Sequence, residues 1–244
     1  MPQVLTFDDP QEVAHAAADR FVEIARAAID GRGRFSVALS GGSTPKRAYE
    51  LLAGEDYRDE LDWSKVHIFF GDERCVPPDD AESNYRMANE AMLSRLPIPA
   101  RNIHRVQGVG DASANARLYE DELRTFFNDA AWPRFDLVLL GMGEDGHTAS
   151  LFPGSSALNE LEAWVAANWI EKFNAFRITL TLPAINHAAH IAFLVTGENK
   201  ADRLAEVLSH ESSSEQLPSQ LIKPVSGSLE WLIDKAAGVR IAGV

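Results

Sequence analysis

The sequence predicts an α/β fold: a single layered domain over residues 1–244, with a mainly parallel sheet flanked by helices on both faces. Three observations carry this. Short β-rich runs alternate with helix-favouring segments along most of the chain. Several of the runs are apolar throughout, F-D-L-V-L-L (Phe135–Leu140) most plainly, as strands buried on both faces are. No internal repeat or low-complexity tract divides the 244 residues, a length that buries a sizeable core.

Taken in order, residues 10–30 place Val13, Ala17, Phe21, Ile24 and Ala28 on one face at helical spacing, with Gly31 and Gly33 closing the segment. The run F-S-V-A-L (35–39) reads as a strand and K-R-A-Y-E-L-L-A after S-G-G-S-T-P as a helix. The alternation repeats with V-H-I-F-F (66–70), a loop, and a helix from about Ser83 to Leu96. I-H-R-V (103–106) follows as a further β-rich run, then a helix over roughly 111–130 and the strand 135–140. Later strands are expected at 163–168, 176–182 and 190–195, a helix from about Glu198 to His210, and a loop at 211–219.

Composition bounds the partners. Hydrophobic residues make up 45% and charged residues 24%, as in ordinary globular domains, and no apolar run is long enough to span a bilayer. M-P-Q-V-L-T-F-D-D-P has neither the basic start nor the apolar centre of a signal peptide. The single cysteine, Cys75, excludes an internal disulfide and agrees with a reducing compartment, so a cytoplasmic location is expected. The formal net charge of −13 repels nucleic acid and anionic lipid, and both are excluded as expected partners. A small anionic substrate is still compatible, because a few cations in a cleft outweigh the mean field locally. A monomer is the expected state.

Ligands of open α/β sheets bind beyond the carboxyl ends of the strands, which singles out 40–45, 71–78, 141–154 and 196–200. G-M-G-E-D-G-H-T-A-S-L-F-P-G (Gly141–Gly154) has the G-x-G-x-x-G form of a dinucleotide-binding turn. The resemblance stops at the glycines. Glu144 and Asp145 stand where the phosphates would sit, and Pro153 and Gly154 interrupt any following helix. No cofactor is expected.

S-G-G-S-T-P is the better phosphate cradle. Gly41 and Gly42 let backbone N–H groups turn toward a ligand, Ser43 and Thr44 add hydroxyls, and Thr44 and Pro45 suit the N-cap and first helical positions. On spacing alone an ordinary capped turn accounts for the stretch equally well.

Asp72, Glu73 and Arg74 follow an apolar strand directly, where sheet proteins place acid–base groups, although Glu73 reads as part of a solvated loop. Cys75 reads as a small packed residue. His147 is the one histidine of seven placed in a predicted site loop, and imidazole suits proton transfer at neutral pH. His187 and His190 read as structural, and nothing has the spacing of a metal site.

Five short stretches, in order, closely resemble the 6-phosphogluconolactonase family: L-S-G-G-S-T-P, G-D-E-R-x-V-P with S-N-Y (Ser83–Tyr85), G-x-G-x-D-G-H-T-A-S-L-F-P, R-I-T-L-T-L (177–182) and T-G-E-N-K (196–200). The related glucosamine-6-phosphate deaminases typically read G-H-I-A-F-N-E-P where this chain has G-H-T-A-S-L-F-P.

The resemblance implies a Rossmann-like, deaminase-like fold and metal-free hydrolysis of 6-phospho-D-glucono-1,5-lactone to 6-phosphogluconate, within the oxidative pentose phosphate pathway. It places the 6-phosphate on Gly41, Gly42, Ser43 and Thr44, with Arg177 and Lys200 supplying charge. His147 is the implied general base, with Asp72 or Asp145 supporting it. Arg74 binds phosphate or stabilises the oxyanion. Two alternatives stand beside this: an isomerase or deaminase in which Asp72 removes a proton from C2, and a non-catalytic sugar-phosphate sensor.

Overall fold

The computed structural model describes residues 2–209 and 216–241. In chain order they form β1 (Gln3–Phe7), α1 (Pro10–Arg32), β2 (Phe35–Leu39), α2 (Ser43–Leu52), β3 (Val66–Phe70), β4 (Asp72–Arg74), α3 (Asn84–Ala88) and α4 (Ala112–Phe126). There follow β5 (Leu137–Leu140), β6 (Val165–Ile170), β7 (Ala175–Leu180), α5 (Leu182–Asn186), β8 (His190–Val195), α6 (Ala201–Leu208), β9 (Ser228–Asp234) and α7 (Lys235–Gly238).

Six strands make one parallel sheet in the order β1-β9-β8-β5-β2-β3. Its central strands β2 and β5 are buried at every position, which is why their sequences are unbroken apolar runs. Helix α1 starts where Asp9 accepts hydrogen bonds from the Gln11 and Glu12 amides and Pro10 enters the first turn. It buries Val13, Ala17, Phe21, Ile24 and Ala28, the face expected from their spacing, and ends at Gly33. Phe193 of β8 and Trp231 of β9 stack at 3.8 Å in the core between neighbouring strands.

The structure departs from the sequence expectations in several places. β1 and β9 were not expected; they pair with each other at one edge of the sheet. The expected strands at 163–168 and 176–182 become β6 and β7, and they leave the main sheet. With β4 they form a separate antiparallel sheet in the order β4-β7-β6. The run 103–106 makes only a single bridge, Ile68 to Ile103, and is not a strand.

Helix boundaries shift too. The helix expected from Ser83 is capped by the Ser83 hydroxyl but passes from α3 into a π turn at Asn89–Leu93. The helix over 111–130 stops at Phe126, because Asn128 and Asp129 take positive φ angles of 54° and 49°. Helix α2 begins before Thr44: Gly42 occupies the N-cap position and Thr44 lies inside the first turn. The end of the expected helix at residue 210, and 211–215 of the expected loop, lie outside the described residues.

Candidate functional site

Strand β2 is flanked by β3 on one side and β5 on the other, so the order of winding reverses at β2 and β5, and ligands bind at such a switch point. A cavity of about 250 Å³ opens there. Gly41, Gly42, Ser43, Thr44, Asp72, Arg74, His147, Arg177 and Lys200 all line it. Asp145, the remaining candidate, stands behind His147 and does not reach the cavity wall.

The loop after β5 builds an Asp–His pair. Asp145 Oδ1 lies 2.5 Å from His147 Nδ1, and Lys172 Nζ lies 3.5 Å from Asp145 Oδ2. The bond from the imidazole holds the Asp145 carboxyl well below the usual carboxylate range, so it stays ionised. An ionised carboxylate only accepts hydrogen bonds, so Nδ1 carries a proton, and in the neutral ring Nε2 is the nitrogen with the lone pair. The ring is fixed on its face by Phe152, stacked at 4.0 Å. Gly143 is required beside it: a Cβ there would lie 2.0 Å from His147 Nδ1 and 2.7 Å from Asp145 Oδ1. Of the two carboxylates that the sequence left open, Asp145 and not Asp72 touches the imidazole.

The other wall is cationic and rich in donors. Helix α2 has no side-chain cap on its first-turn N–H groups, and its first residues, Ser43 and Thr44, line the cavity with Gly42. Thr44 is not a cap; its Oγ1 lies 2.8 Å from Thr196 Oγ1 after β8. Arg74 of β4 and Arg177 of β7 sit opposite each other in the antiparallel register. Burial and the neighbouring Arg74 push the Arg177 guanidinium below its ordinary range. Arg74 Nε and Ser40 Oγ are buried without hydrogen-bond partners. Two neighbouring guanidiniums and an unpartnered buried donor are groups of the kind that bind anions.

Asp72 is buried and oriented by two donors, Ser150 Oγ at 2.6 Å and Asn84 Nδ2 at 3.2 Å. Glu73 corrects the expectation of a solvated loop, being only 3% exposed. Its carboxylate accepts from the Arg74, Asn84 and Tyr85 amides at 2.8, 2.7 and 2.8 Å and from Ser83 Oγ at 3.1 Å. Burial nevertheless pushes its pKa up. Glu73 therefore anchors the start of α3 and holds Asn84 against the cavity. Asn84 Oδ1 stands so close to Gly41 that a Cβ there would lie 2.0 Å away.

No helix follows the glycine run at 141–146, and Glu144 accepts a hydrogen bond from Asn199 Nδ2 at 2.6 Å. Cys75 is half-buried, and its thiol is raised chiefly by that burial. His187 bonds the Pro183 carbonyl at 2.7 Å and His190 bonds Ser228 Oγ at 2.8 Å, both away from the cavity. Ser40, Asn84 and Thr196 line the cavity and were missed. Ser40 and Thr196 fall in the stretches 40–45 and 196–200 singled out above and Asn84 in S-N-Y, but nothing in these three side chains marks a role until their neighbours are known.

Among the described residues, no helix is long and apolar enough to cross a membrane. The family model described as glucosamine-6-phosphate isomerases/6-phosphogluconolactonase matches residues 8–231. A 6-phosphogluconolactonase from Nostoc sp. is 46% identical over 218 residues, covering 88% of each chain. The 6-phosphogluconolactonase structure from Trypanosoma brucei superposes with a TM-score of 0.88 at 31% identity, covering 99% of each chain. A monomeric glucosamine-6-phosphate deaminase, 19% identical, shares the fold with a TM-score of 0.81, covering 98% of this chain and 99% of its own. With most of its length matched in sequence and in structure, the chain belongs to the glucosamine-6-phosphate isomerase/6-phosphogluconolactonase family.

Proposed function

We infer that the protein hydrolyses 6-phospho-D-glucono-1,5-lactone to 6-phosphogluconate, a step of the pentose phosphate pathway, with His147 as general base. The observation that carries the assignment of roles is one juxtaposition. A pre-oriented Asp145–His147 pair faces the same cavity as an uncapped helix N-terminus and three cations, Arg74, Arg177 and Lys200.

The substrate's 6-phosphate rests on Gly41, Gly42, Ser43 and Thr44, with Arg177 and Lys200 balancing its charge. His147 Nε2 takes a proton from water as the water oxygen attacks C1, and the carbonyl electrons move onto oxygen. Asp145 stabilises the imidazolium that forms. As the tetrahedral intermediate collapses, the C1–O5 bond breaks and the imidazolium returns its proton to O5. Arg74 meets negative charge on the substrate through its unpartnered Nε. Asp72 is the second fixed acceptor in the cavity, for a substrate hydroxyl or the attacking water. The chemistry needs no metal, because base, anion donors and orienting carboxylate are all side or main chains.

A substrate comparison tests the assignment. The lactone turns over above its spontaneous hydrolysis rate, and glucosamine 6-phosphate releases no ammonia. Ammonia release transfers the reading to a deaminase with Asp72 as base, and turnover of neither makes the protein a sensor.

A further inference from the structure

Ser150 lies three residues beyond His147, is fully buried, and has every polar atom engaged. Its Oγ donates to Asp72 Oδ2 at 2.6 Å, its amide donates to Thr179 Oγ1 at 3.2 Å, and its carbonyl accepts from Asn168 Nδ2 at 2.8 Å. Asn168 on β6 is also fully buried. Its Nδ2 donates as well to Ser155 Oγ at 2.9 Å, and its Oδ1 accepts from Ser156 Oγ at 3.2 Å and the Ala157 amide at 3.4 Å. One amide side chain thus ties both ends of the segment 150–157. Between His147 and Ser150, Ala149 holds a left-handed φ of 47°, a conformation that persists only where flanking contacts impose it.

We propose that Ser150 and Asn168 are positioning residues for the hydrolysis: a buried polar strut through which the small antiparallel sheet fixes the Asp72 carboxylate relative to the His147 loop. Neither residue lines the cavity, so neither touches substrate. The chemistry of the network is specific. Ser150 Oγ is the shorter of the two side-chain bonds to Asp72, and it comes from the loop that carries the base. Removing the hydroxyl releases Asp72 from that loop without creating a large void. The inference rests on the placement of Asp72 in the reaction given above.

A double-mutant cycle in kcat tests it, with Ser150→Ala and Asp72→Asn made singly and together, and with melting curves checking that each variant folds. Ser150→Ala should lower kcat about ten- to a hundredfold while KM stays within about twofold. In the Asp72→Asn background the same change should cost less than about twofold, because the residue it acts through is already altered. Ser150→Cys, a weak donor of similar shape, should fall between Ser150→Ala and wild type. The same fold-loss in both backgrounds, or unchanged kcat in Ser150→Ala, would overturn the strut. A wild-type kcat in Asp72→Asn would overturn the role of Asp72, and the strut with it.

Discussion

His147 has one ring nitrogen committed to Asp145, and that bond does two things at once: it sets the tautomer and it stops the ring from turning. Gly143 is the residue that permits the contact. Gly143→Ala places a methyl 2.0 Å from Nδ1, where something has to move. It should lower kcat about ten- to a hundredfold with KM little changed, as steady-state kinetics on the lactone will show. On the anion side, charge-assisted hydrogen bonds to phosphate contribute roughly 1.5–3 kcal/mol each. Arg177→Ala and Lys200→Ala should therefore raise KM about ten- to a hundredfold, with a smaller effect on kcat. Unchanged KM in both would remove the phosphate assignment. At this scale the motifs were informative about charged and titratable groups, because the chemistry of Asp72, Arg74 and His147 is visible in their identity. Glu73 misled, because a carboxylate next to a strand looks solvated until the three amides that surround it are known.

At the scale of elements, burial on both faces made β2 and β5 readable, whereas β1 at the sheet edge is only partly buried and β9 is buried in its second half alone. Their pairing joins the two ends of the chain, which no local pattern announces. The small sheet was hidden for a related reason. β4 is three residues long, and its partner β7 lies a hundred residues away, so the site triplet looked like a loop. Strand β3 carries a testable consequence of burial. His67 Nδ1 lies 3.2 Å from His104 Nε2, and burial, then His104, Arg34 and Arg101, push its pKa from 6.5 down to about 4. The folded chain resists a proton that the unfolded chain accepts, so the unfolded state binds more protons between those values. The His67 contribution to stability should fall as pH drops from about 6.5 to about 4 and level off below, while carboxylates held low, such as Asp145, go on losing stability at lower pH. Melting temperatures measured across that window should show the slope, and His67→Gln should flatten it.

For the whole molecule, the contrast is between a surface of net charge −13 and one cavity that gathers Arg74, Arg177 and Lys200 beside a helix N-terminus. The acidic exterior repels polyanions at long range, while the three cations are gathered in one small cavity. The sheet delivers this from distant segments: the carboxyl ends of β2, β3, β5 and β8 each contribute one motif. Those four ends were legible as site loops because a parallel sheet places ligands there. Their mutual distances were not, since they depend on strand order and on the separate sheet that presents Arg177. Metal removal is a test at the same scale. Among the described residues no cluster of three or more His, Cys, Asp or Glu is arranged to hold an ion, and exhaustive chelation should leave lactone turnover unchanged. Activity lost to a chelator and restored by one divalent ion would replace the mechanism.

In the proposed hydrolysis His147 Nε2 takes the proton of the attacking water. A positioned general base contributes typically about 10²–10⁴-fold, through kcat rather than binding. His147→Asn keeps a polar side chain but cannot accept that proton. Measured on the lactone with the spontaneous rate subtracted, kcat should fall by that factor while affinity for 6-phosphogluconate stays nearly unchanged. A near-wild-type kcat in His147→Asn would contradict the account.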